Sequence, residues 1–201
     1  MVAVDTNVLV YAADADSPFH AACRDWLETQ RRRADAWYTT WAILYEFMRV
    51  TTHARVMRRP WSAREAWEFI AGLLASPGLG VLVPTQRHAQ VAAQVLTEIP
   101  HLSGNVFHDA HTAILMREHG IRRIVTRDTD FHRFPFLELI DPVARIGLDR
   151  RAPPTDEQIP GEVSPIVALV VRESLAFGLF LVYQIGVGDG LFTSTPRWTP
   201  K

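Results

Sequence analysis

Short apolar runs alternate with longer amphipathic segments through most of this chain, and that alternation narrows the fold more than any other feature. Val2 to Val4, Trp37-Tyr38-Thr39, Val81-Leu82-Val83, Arg123-Ile124-Val125-Thr126 and Leu137-Glu138-Leu139-Ile140 read as buried strands. Thr6 and Asn7 follow the first as turn or cap residues. Ser17-Pro18 then opens a helix through about Arg33, with the serine capping and the proline at the first helical position. Thr40 caps a helix carrying Ile43, Leu44, Phe47, Met48 and Val50. Ser62-Ala63-Arg64-Glu65 is a capping box ahead of a helix with Trp67, Ile70, Leu73 and Leu74. Thr85 caps a helix to about Ile99, and Asn105 or its neighbours start another, closed by Gly120. Strands this short, joined by helices, imply an α/β fold: a parallel sheet of about four to five strands flanked by helices on both faces.

The basic residues exclude several chemistries common on such sheets. Of 21 lysines and arginines, 20 are arginine and only Lys201 is lysine. A P-loop, a Schiff-base enzyme, a haloacid-dehalogenase-type phosphatase and a response-regulator receiver all need a lysine at the site. With 22 acidic residues the formal net charge is −1, too little for a protein that coats nucleic acid non-specifically. The single cysteine, Cys23, excludes an intrachain disulfide and a Cys-rich zinc site, and fits a reducing compartment. The N-terminus lacks the basic flank of a signal peptide, so a cytoplasmic location is expected.

The texture changes after about Pro142. Residues 150–201 hold six of the 13 prolines, five of the 11 glycines and none of the eight histidines. Residues 144–201 read as a linker and an apolar extension of unassigned role, after a first domain at 1–143. The apolar stretches within it are broken by Arg172-Glu173, and each half is shorter than the ~20 residues a membrane span needs. A membrane partner is not expected.

Carboxylates stand where the strands stop. Asp5 follows the first strand directly, and Asp128 follows the Arg123–Thr126 strand with Asp130 two residues on. Ligands of open parallel sheets bind beyond the carboxyl ends of the strands, so these acids should converge. Asp109 lies in the first turn of its helix, and Glu46 interrupts an apolar helical face. Each acid alone has an ordinary reading as a cap, a turn residue or a surface group. Together, without nearby lysines, they repel one another unless a cation sits among them. Oxygen ligands without thiolates select Mg²⁺ or Mn²⁺, and such ions activate water against a phosphodiester.

VAVDTNVLVYA, TWAILYEFMRVTTHARV, GNVFHDAHTAILMREHG and IVTRDTDFHRFPFLELIDP, in that order, resemble the successive motifs of PIN-domain nucleases. The likeness is strongest to the VapC toxins of bacterial toxin–antitoxin pairs, and it runs from residue 1 to about residue 143. It implies a Mg²⁺-dependent endoribonuclease, homodimeric, acting on an RNA substrate and silenced by a cognate antitoxin protein. By motif, Asp5, Glu46 and Asp109 are the first three functional acids and Asp128 the fourth, with Asp130 a candidate fifth. The metal ligands would be Asp5, Asp109 and Asp128, with Glu46 orienting or deprotonating water or ligating a second ion. Thr6, Asn7 and Thr126 would support the acids, and His108 would contact substrate or an outer carboxylate. The alternative function is a non-catalytic PIN-like module that binds RNA or protein under a partner's control.

Two other features stand out. Four of the six tryptophans fall between Trp37 and Trp67, beside Tyr45 and Met48. Such clusters are usually core, and any exposed part would mark a docking face for an antitoxin helix or a second subunit. Arg31-Arg32-Arg33 reads as a solvated helix end favoured by the helix dipole.

Overall fold

The computed structural model describes residues 1–144, so the expected linker and apolar extension lie outside the described residues. Chain order is β1 (Val2–Val4), α1 (Thr6–Ala13), α2 (His20–Arg32), β2 (Trp37–Thr40), α3 (Trp41–Thr51), α4 (Ala63–Leu74), β3 (Leu79–Leu82), α5 (His88–Glu98), α6 (Val106–Glu118), β4 (Arg123–Val125), a 3-10 turn (Thr129–Arg133) and β5 (Glu138–Ile140). The five strands form one parallel sheet in the order β3-β2-β1-β4-β5. This is the expected class, a parallel sheet flanked by helices.

The period-2 alternation of the strands splits the core in two. Val4 and its register partner Val125 join Trp37 against α1, α2, α3 and α4 on one face. Ala3 and its partner Ile124 join Leu82, α6 and the 3-10 turn on the other, and α5 packs on α6 through Val91, Val95 and Ile114. From β1 the chain builds outward through β2 and β3, then returns to the far side of β1 as β4. The switch point therefore lies between β1 and β4, where open sheets of this kind hold their ligands.

Two caps behave as expected. Thr40 accepts a hydrogen bond from the Ile43 amide, and Ser62 and Glu65 form a reciprocal capping box. Gly120, at φ +71°, ends α6 in the left-handed conformation that glycine adopts without strain. Three expectations need correction. Residues after Asp5 form a helix, α1, rather than a turn: six of its eight residues are buried, so no amphipathic stripe marks it. Helix α2 starts at His20, not Pro18, because Ser17 Oγ accepts from the Phe19 amide in a local turn. Thr85 does not cap α5, which starts at His88. Its hydroxyl donates to Glu118 of α6, and its amide donates to the same carboxylate oxygen at 2.6 Å. Among the described residues, no helix is long and apolar enough to cross a membrane.

Candidate active site

Asp5 sits at the carboxyl end of the central strand and caps α1, with only 8% of its surface exposed. Its two oxygens are both engaged. Oδ1 accepts from the Thr6 amide at 2.7 Å; Oδ2 accepts from Asn7 Nδ2 at 2.6 Å and from the Thr126 hydroxyl at 2.7 Å. Thr126 stands just past β4, across the switch point. Its hydroxyl has one proton and two lone pairs, and all three are used: it donates to Asp5 and accepts from Asn7 Nδ2 at 2.9 Å and from the Asp128 amide at 2.9 Å. Asn7 Oδ1 in turn accepts from the Arg127 amide at 3.2 Å. Asn7 and Thr126 thus tie the ends of β1 and β4 together while orienting Asp5 and the backbone of Asp128.

The remaining acids reach the same place from other elements. The Thr6 hydroxyl donates to Glu46 Oε2 at 3.1 Å, so the first turn of α1 holds a carboxylate from the middle of α3. Glu46 also pairs with Arg49 one turn on, at 3.5 Å. Asp128 caps the 3-10 turn by accepting from the Asp130 amide at 2.8 Å, which brings the Asp130 side chain alongside. Asp109 enters from α6 with no hydrogen bond or ion pair among the described residues. Carboxylate oxygens of Asp109, Asp128 and Asp130 all lie within 4.8 Å of one another.

Electrostatics agree with the geometry. Burial, then repulsion from Asp5, Asp128, Glu46 and Asp130, pushes the Asp109 carboxyl up to about 8. Burial also pushes Asp5 up to about 7; the Thr126 hydrogen bond opposes this, and Glu46 and Asp128 add to it. Asp128 is raised as well, chiefly by burial. Acids held this close without an interleaved base suit a bound cation, which removes the repulsion. The donor set, carboxylate oxygens alone, fits a hard divalent metal.

Of the residues singled out from the sequence, Asp5, Thr6, Asn7, Glu46, Asp109, Thr126, Asp128 and Asp130 converge here. His108 does not join them: it is exposed on the first turn of α6 and has no hydrogen bond to an acid among the described residues. Nor do the α6 histidines form a metal group. His119 bonds the Val83 carbonyl at 2.8 Å, and His88 bonds Glu118 at 2.8 Å. Arg31 pairs with Glu28 and Arg33 with Asp35, as expected of a solvated helix end.

Sequence reasoning missed the fastening of Arg127. Its guanidinium lies 3.6 Å from the centre of the Phe19 ring and pairs with Asp141 at 3.2 Å. The Arg127–Asp128 turn is thereby clamped between the start of α2 and the end of β5. A sequence shows an arginine beside a functional acid but not a ring 108 positions away.

Comparison with known proteins fits this geometry. The PIN domain family matches residues 2–137. Ribonuclease VapC37 of Mycobacterium tuberculosis is 37% identical over 134 residues, which span 67% of this chain and 92% of the relative. VapC ribonuclease Mb2897 of Mycobacterium bovis is 35% identical over 134 residues, 67% of this chain and 90% of the relative. Among solved structures, VapBC2 from Rickettsia felis bound to a promoter DNA fragment matches with TM-score 0.52 at 18% identity, over 70% of this chain and 98% of that one. FitAcB from Neisseria gonorrhoeae matches with TM-score 0.50 at 16% identity, over 71% of this chain and 99% of that one. The structural likenesses establish the fold, and the family match and the level of identity together show that this chain belongs to the PIN-domain family, among the VapC ribonucleases.

Proposed function

We propose that this chain is the toxin of a toxin–antitoxin pair and hydrolyses RNA phosphodiesters with Mg²⁺ or Mn²⁺ bound by its carboxylates. The observation that carries the reading is the meeting of Asp109, Asp128 and Asp130 within 4.8 Å, beside Asp5 and Glu46, at the switch point of the sheet. Asp109, Asp128 and Asp130 would hold the ion, with Asp5 as a further ligand once its hydrogen bonds rearrange. A bound divalent ion supplies charge neutralisation at the scissile phosphate and an acidified water.

The chain's own groups set up the rest. Asn7 and Thr126 fix the Asp5 carboxylate against rotation, and Thr6 holds Glu46 toward the acids. Glu46 is only partly exposed and points an oxygen into the site, so it is positioned to orient the attacking water and accept its proton. The resemblance further implies a homodimer, a cognate antitoxin protein and a cytoplasmic location, and these belong to the same proposal. So does the division into a nuclease domain at 1–143 and a separate extension at 144–201.

The test is incubation of the full chain with labelled RNAs of varied sequence in Mg²⁺ and in Mn²⁺. Cleavage that vanishes with EDTA and in Asp109→Asn supports the assignment. Absence of metal-dependent cleavage across those RNAs defeats it and leaves a binding module.

A further inference from the structure

Helix α3 carries Glu46 into the site and also presents an aromatic pair to solvent. Tyr45 is 64% exposed and Trp41 39%, and their ring centroids lie 6.0 Å apart, tilted by 36°. At about 100° per residue, Trp41, Tyr45 and Arg49 advance around the helix in steps of about 40°, and Glu46 follows about 60° beyond Arg49. The outward face of α3 therefore reads, in one sweep, as two exposed rings, a half-buried arginine and a carboxylate that reaches the acid cluster. Phe47 and Val50 occupy the opposite side, in the core.

We propose that Trp41 and Tyr45 form a stacking platform for a base of single-stranded RNA, next to the nucleotide whose phosphate is cut, with Arg49 meeting an intervening phosphate. The proposal rests on the ribonuclease reading above. Charge and shape select this occupant. An apolar protein helix laid on the rings would desolvate Arg49 and Glu46, which flank them on the same face, at a net cost. A nucleotide brings an aromatic face for the rings and a negative group for the arginine together. The overall charge of −1 gives little sequence-independent attraction to RNA, so stacking beside the site supplies grip that the net charge does not. A base held in this way must be unpaired, which makes the platform a selector of single strands.

Binding and cleavage are measured separately. A fluorescein-labelled single-stranded RNA decamer is titrated into full-length Asp109→Asn protein, with and without Trp41→Ala and Tyr45→Ala. The double alanine change is expected to weaken binding by about one to two orders of magnitude. Tyr45→Phe, which keeps the ring, is expected to stay within about twofold, and the corresponding RNA duplex to bind weakly to every variant. Equal RNA affinity with and without the rings overturns the proposal. So does a fall in sedimentation mass when the rings are removed in the absence of RNA, which would show a second copy on this face. In the native protein with Mg²⁺, KM for the RNA should rise in Trp41→Ala/Tyr45→Ala while kcat changes little. Metal-dependent cleavage with unaltered KM removes the platform and leaves the nuclease reading standing. Ring-dependent binding without cleavage does the reverse.

Discussion

Replacing Asp109 with asparagine should stabilise the metal-free protein, although it removes a residue central to the site. The side chain keeps its shape and loses a charge that burial and four neighbouring acids oppose. Its carboxyl is raised from 3.8 to about 8 in the folded state. A raised folded pKa means that the folded form holds its proton over a range where the unfolded form has released it. The resulting stability is complete below the unfolded value and is lost as pH climbs through about 8. At ~1.4 kcal/mol per pH unit, the full shift bounds the effect at ~6 kcal/mol. Asp5 and Asp128 share the same repulsion, so one substitution recovers less, ~2–4 kcal/mol. In a domain of this size that is roughly 5–12 °C in melting temperature.

Thermal melts in EDTA from pH 4 to 8 supply the assay. The two proteins should melt together near pH 4, and Asp109→Asn should pull ahead as pH rises. Mg²⁺ should lift the native protein at pH 8 and narrow the gap, because a ligand that binds only the folded state stabilises it. Asp109→Asn melting at or below the native protein throughout that range would refute the claim that crowded carboxylates strain the metal-free fold.

The hydroxyl of Thr126 can be tested by Thr126→Val, which keeps the shape while stranding Asp5, Asn7 and the Asp128 amide; a loss of ~1–3 kcal/mol in denaturant melts and a large fall in RNA cleavage are expected, with Thr126→Ser restoring most of both. Gly78→Ala places a methyl 2.3 Å from the Asp35 carbonyl oxygen, so the β2 entry must shift, and urea melts should show ~1–3 kcal/mol of destabilisation. Ser62→Ala breaks the α4 capping box, far from the acids; it should cost ~1 kcal/mol by the same assay and leave the cleavage rate unchanged.

What was legible in the sequence follows from how locally each feature is encoded. Thr40, Ser62-Glu65 and Gly120 act within a turn of their own positions, and the structure uses them as read. The strand ends were legible because an acid after an apolar run stands out, and Asp5 and Asp128 were placed by that rule. Helix α1 escaped notice because Val8 through Ala12 are all buried, which erases the polar stripe that identifies a helix. Thr85 misled for the opposite reason: its local pattern is a sound cap, but Glu118, 33 positions on, takes both its hydroxyl and its amide. The site divides along the same line. The acids could be named from sequence, whereas the Thr6–Glu46 bond and the Arg127 clamp on Phe19 and Asp141 depend on packing between separate helices and strands. The tryptophan cluster proved mixed, with Trp37 wholly buried and Trp41 and Trp67 reaching solvent.

The fastening of Asp5 to Thr126 spans 121 positions of chain. During synthesis the first acid leaves the ribosome at the start, but the hydroxyl that orients it and the carboxylates of Asp128 and Asp130 come near the end of the domain. Until β4 pairs with β1, Asp5 lacks the Thr126 hydroxyl that orients it and Asp109 lacks two of its neighbours. A protein that cuts RNA while still attached to the machinery translating its own message would endanger its own production. Placing the final strand beside the first delays the site until almost the whole nuclease domain has been made.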